Sequence, residues 1–95
     1  MISAKMANER MEAINAKRNE EPDYNKLLNK VDIWINFNIR EGNNYCSIPW
    51  RNVIQWFEEQ NKNYNYDYLL KLIEMVKDYG YEIKIDTWFG IIIYW

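Results

Sequence analysis

The stretch from Asp67 to Trp95 leaves this chain few folds to choose from. Leu69, Leu72, Ile73 and Val76 recur at helical spacing, which predicts an amphipathic helix over Asp67 to Tyr79. Asp67 is a candidate N-cap, since its short carboxylate can accept from the free amides of a first turn. Gly80 stands where a helix end favours a left-handed residue. Beyond it Tyr81, Ile83 and Ile85 alternate with Glu82, Lys84 and Asp86, the pattern of a half-buried strand. The residues around Gly90 then turn the chain into Ile91 to Trp95, an apolar run that reads as a strand covered on both faces. A helix, a strand, a turn and a second strand result, and the earlier segments must pack against them.

Ninety-five residues make one domain, and a chain this short is marginal as a monomer unless its core is rich. Five Trp and eight Tyr supply that richness, because each ring can bury ~150–250 Å², and they leave a surplus for an interface. The net charge of −2 builds no basic field to collect phosphate backbones, so direct nucleic-acid binding is not expected. Cys46 has no partner for an internal disulfide, which fits a reducing cytosol. No apolar run approaches the ~20 residues that cross a bilayer, and the N-terminus lacks the apolar core of a secretory signal. A cytoplasmic, membrane-free protein is expected.

Ser3 can cap a helix over roughly 4–17, in which Ala7, Met11 and Ile14 form a narrow apolar stripe. This N-terminal arm, residues 1–17, either folds onto its own domain or clasps a neighbouring copy. Arg18 to Asp23 is the one credible linker, and Pro22 can open the next helix. Residues 31–39 admit two readings. Tyr24, Leu27, Leu28, Val31, Ile35 and Ile39 fit a helical face, yet Val31, Ile33, Ile35, Phe37 and Ile39 alternate as in a strand. Propensity favours the strand, because β-branched residues, aromatics and Asn are mediocre helix formers. Tyr45 to Ile48 is strand in either case. From Pro49 to Asn61, Trp50, Val53, Ile54 and Phe57 share a helical face.

The chain has no His, which removes the usual general base near neutral pH and every Ser-His-Asp or Cys-His arrangement. One Cys cannot build a tetrahedral zinc site, and Gly42, Gly80 and Gly90 are too sparse for a phosphate loop. The carboxylate pairs Glu20/Glu21, Glu58/Glu59 and Asp23/Asp32 read as solvated surface charge. No catalytic residue, metal or cofactor is expected, and Cys46 reads as a buried thiol behaving as a small apolar residue. The candidate binding residues are aromatic. Lys62, Tyr64 and Tyr66 form a loop that can grip a partner, although the two tyrosines can equally lean on the core. Trp56 falls off the main apolar face of its helix, and Trp88 sits at the turn between the last two strands. Both are expected as exposed anchors.

The order of features resembles a group of small proteins encoded by tailed phages. The stretches that carry the resemblance are Ile2 to Glu9, then Val31 to Ile39 followed by Gly42 and the strand Tyr45 to Ile48. Tyr79-Gly80-Tyr81-Glu82-Ile83 and the terminal run Ile91 to Trp95 complete it. This chain departs from the group by an extra helix, Pro49 to Asn61. The resemblance implies a helix for residues 31–39 and a phage origin, and it carries over no functional residue. The fold expected is α+β, with N-terminal helices and a mainly antiparallel sheet of about three strands. The function expected is that of a non-enzymatic phage accessory protein in the host cytoplasm, self-associating, that inhibits a host defence protein or sequesters a nucleotide signal. A structural virion component is the alternative.

Overall fold

A computed structural model describes residues 1–95. The elements run α1 (Ala4–Arg18), α2 (Tyr24–Arg40), β1 (Tyr45–Pro49), α3 (Trp50–Glu58), α4 (Tyr66–Asp78), β2 (Glu82–Asp86) and β3 (Gly90–Tyr94). The fold is α+β: a three-stranded antiparallel sheet, in the order β1-β3-β2, carries α2, α3 and α4 on one face. Cys46, Ile93 and Ile83 stand in one row across the sheet, and Ile48, Ile91 and Ile85 in the next. Both rows point at the helices. Leu27, Val31 and Ile35 meet them from α2, Val53 and Phe57 from α3, and Leu69, Leu72, Ile73 and Val76 from α4. No polar or charged residue is buried with them.

Residues 31–39 lie within α2, as the helical reading has it. Asp23 decides the start locally, its carboxylate accepting from the amides of Asn25 at 3.0 Å and Lys26 at 3.4 Å. Of the residues that would alternate in a strand, Val31 and Ile35 enter the core while Ile33, Phe37 and Ile39 stay exposed. At the other expected cap Asn65 replaces Asp67. Its backbone is extended, and its side chain accepts from the Asp67 amide at 2.9 Å, so α4 opens at Tyr66. Gly80 ends this helix at φ +97°, a conformation glycine adopts at little cost.

β3 departs from the expectation of a strand covered on both faces. It is the central strand, with one face under the helices; on the other, Ile92 and Tyr94 are only half-buried. Since its two edges are occupied by β1 and β2, it offers no edge for pairing with another molecule.

Cys46 lies fully buried in β1, and burial pushes its thiol up from 9.0 to about 11. The folded state therefore holds its proton where the unfolded chain releases it. Its contribution to stability is complete below pH 9 and is lost as the pH rises towards 11. Thiol reagents are expected to leave the native protein unlabelled at pH 8 and to label it fully in denaturant. Rapid native labelling at pH 8 would contradict the burial.

α1 is set apart from this body. Ser3 caps it, accepting from the Met6 amide at 3.2 Å, and none of its residues is buried. The chain measures 58 × 23 × 22 Å with a radius of gyration of 16.5 Å, whereas a compact domain of this length has about 12 Å. A polar clasp fixes the direction of the arm. The Asn63 amide donates to the Arg18 carbonyl at 2.8 Å and its side chain to Asn19 Oδ1 at 2.9 Å, while the Tyr68 hydroxyl donates to the Asn19 carbonyl at 2.9 Å. Gln60 holds both backbone groups of Asp23, and Lys71 pairs with Glu21. The linker is thereby fastened to the α3–α4 loop and α4.

Candidate aromatic interface

The exposed side of α3 faces the start of α4 and the end of β2 across a groove of about 380 Å³. Trp50 and Ile54 line it from α3, Tyr64 and Tyr66 from the loop into α4, and Ile85 and Thr87 from β2 and its turn. Five of these six are apolar or aromatic, and none carries a charge.

The groove is held open by its own hydrogen bonds and ring contacts. The Trp50 indole Nε1 donates to the carbonyls of Asp86 and Thr87, both at 3.0 Å, which ties the first turn of α3 to the β2–β3 turn. The Trp50 amide donates to the Phe89 carbonyl at 2.9 Å. Pro49, which precedes it, has no side-chain oxygen to cap the helix, so the turn serves instead. Tyr64 stands edge-on between Trp50 and Phe57, at centroid distances of 6.4 and 5.5 Å. Burial pushes its hydroxyl above the ordinary tyrosine value, and neighbouring Tyr66 adds to the shift.

Trp88 follows Thr87 on the same turn. Asp86 Oδ1 accepts from the amides of Trp88 at 2.8 Å and Phe89 at 2.9 Å, a local arrangement that sets the backbone and turns the indole outward. The indole is 95% exposed and Phe89 44%. A rigid backbone presenting a bare indole beside an apolar groove suits a binding anchor, because little conformational freedom remains to be lost on contact.

Of the five residues singled out in the sequence, the structure brings Tyr64 and Tyr66 together in this groove and sets Trp88 on the adjoining turn. Trp56 is a correction. It is only 5% exposed, because α3 is rotated so that Val53, Trp56 and Phe57 face inward while Ile54 turns out to the groove. Lys62 is a second correction to a free anchor. Its ammonium donates to the Lys17 carbonyl at 2.9 Å and lies 3.7 Å from Glu20, closing the C-terminal end of α1. Ile54, Ile85 and Phe89 escape sequence reasoning, since the first two fit core positions of an apolar periodicity. Trp50, on the apolar face of its helix, both packs against the core and lines the groove.

No group of three or more His, Cys, Asp or Glu side chains is arranged to hold a metal ion, and no helix is long and apolar enough to cross a membrane. Comparison with family models, curated proteins and solved structures finds no match to this chain.

Proposed function

We propose that this chain is a non-enzymatic binding protein that docks another protein on the groove between α3, α4 and β2, with Trp88 as the anchor. The single observation that carries this reading is the fully exposed indole on a hydrogen-bonded turn beside an uncharged aromatic groove. Trp and Tyr in such settings dominate protein–protein binding energy. The tailed-phage resemblance supplies the setting, an accessory protein that inhibits a host factor in the host cytoplasm. A protein ligand is favoured over a nucleotide signal because no Lys or Arg lines the groove to meet a phosphate, and Lys62 is engaged at the end of α1.

The test is capture from host lysate, followed by titration of the purified captured protein against variants. Trp88→Ala and Tyr66→Ala are expected to weaken binding about 30-fold or more, the loss of ~2 kcal/mol usual for an aromatic hot spot. Lys30→Ala, on α2, is expected to bind like wild type. Equal binding by all three variants would overturn the proposal. Recovery of the chain as a stoichiometric component of purified phage particles would favour the structural role instead.

A further inference from the structure

The projecting arm and a second groove, which shares no lining residue with the aromatic one, fit each other. Between α2 and α4 lies an apolar groove of about 240 Å³ walled by Leu28, Val31, Ile35, Val76, Tyr79 and Tyr81. Asp32 lines it, and Asp78 lines the depression that adjoins it at Tyr79. No basic residue lines either one. We propose that α1 of one copy lays its Ala7–Met11–Ile14 stripe in this groove of a second copy, the two arms exchanging about a two-fold axis.

Four observations carry it. The first is surface. The isolated chain exposes 6794 Å², whereas a compact monomer of 11.7 kDa exposes about 5,900 Å². The excess of about 900 Å² matches the ~800 Å² that each partner contributes to a standard stable interface. The second is helix stability. A lone helix shorter than ~12–15 residues is marginal in water, and α1, at that limit, has no buried residue to support it. The third is length. Ala7 to Ile14 and Leu28 to Ile35 are each eight residues joined by seven helical rises, about 10.5 Å, so stripe and wall are equally long.

The fourth is charge. Residues 1–18 carry four basic and two acidic side chains, net +2, and the remaining residues eight and twelve, net −4. Arg10 flanks the stripe beside Met11 and suits the carboxylates of Asp32 and Asp78. The occupant is a second copy because the polar clasp at Arg18, Asn19 and Asn63 aims the arm away from its own body, along the 58 Å axis.

Sedimentation and native mass spectrometry of the full chain between 1 and 100 µM test the proposal, with a dimer expected. Met11→Glu/Ile14→Glu alters two exposed side chains and is expected to raise the dimer dissociation constant on the order of 100-fold, with the far-ultraviolet circular dichroism of the folded body retained. Arg10→Glu or Asp32→Arg alone is expected to raise it roughly five- to tenfold, and the combined charge exchange to restore it. Trp88→Ala is expected to leave the dimer intact, so this proposal and the aromatic docking site fail independently. A monomer at 100 µM overturns the exchange. So does a dimer indifferent to Asp32→Arg, the result expected if the arms pair with each other.

Discussion

Gly90→Ala is expected to destabilise the protein far more than Gly80→Ala does. Gly90 opens β3 at φ +151°, a region L side chains rarely adopt, and stands opposite Pro49 of β1 and Asp86 of β2. A Cβ there would lie 1.9 Å from the Ile48 carbonyl oxygen, 2.9 Å from its carbon and 3.0 Å from the Pro49 carbon. All three atoms are backbone, so no side chain can swing aside. Relief requires β1 to separate from the central strand, which breaks the Ile48–Ile91 row of the core. The cost is expected to exceed about 4 kcal/mol, against a total of roughly 5–14 kcal/mol for a domain of this length. Gly80→Ala provides the control. Its φ of +97° is also unfavourable, but a Cβ there meets nothing within 4 Å. Only the backbone strain remains, about 1–2 kcal/mol. Urea unfolding of the two variants measures the difference, and equal destabilisation within 1 kcal/mol would show that the approach to Ile48 does not matter.

Trp56 and Trp88 are expected to respond in opposite ways to the same substitution. Trp56→Ala removes a ring held against α2 by Leu27 and its neighbours, and should cost about 3–5 kcal/mol, the usual range for a buried aromatic. Trp88→Ala removes a side chain that is 95% exposed and should change stability by less than ~0.5 kcal/mol. Any loss of partner binding by Trp88→Ala can then be assigned to the lost contact, because the fold is untouched. Thermal melts monitored by circular dichroism suffice to check both. Comparable melting temperatures for the two variants would contradict the rotation of α3 described above.

That rotation shows where sequence reasoning reaches its limit. Trp50, Val53, Ile54 and Phe57 span an arc of about 100°, and Trp50, Val53, Trp56 and Phe57 one of about 120°. Periodicity establishes that α3 is a helix and leaves its rotation open by about 50°. The neighbours settle it: α2 supplies Lys26, Leu27 and Lys30 around Trp56, while β2 and its turn leave Ile54 at a groove. The same ambiguity affects α2. Its apolar positions fit two periods, and the Asp23 cap together with the Leu27–Val31–Ile35 row selects the helix.

What the sequence determined by itself is local. The order of helices and strands outside residues 31–39, the Ser3 cap, the Gly80 stop and the alternation before the β2–β3 turn depend on residues within a few positions of one another. The tertiary structure alone decided the rest: β3 as the central strand, Trp56 in the core, Lys62 spent on α1, and the arm pointing away from the body. Each of those outcomes involves contacts between residues distant in the chain, such as the Tyr45–Tyr94 pair of β1 and β3. The Lys62–Lys17 and Asn63–Asn19 bonds are examples, with separations of 45 and 44. A side chain's hydrogen-bonding capacity is written in its residue type, but which of several available partners it meets is set by how the elements pack.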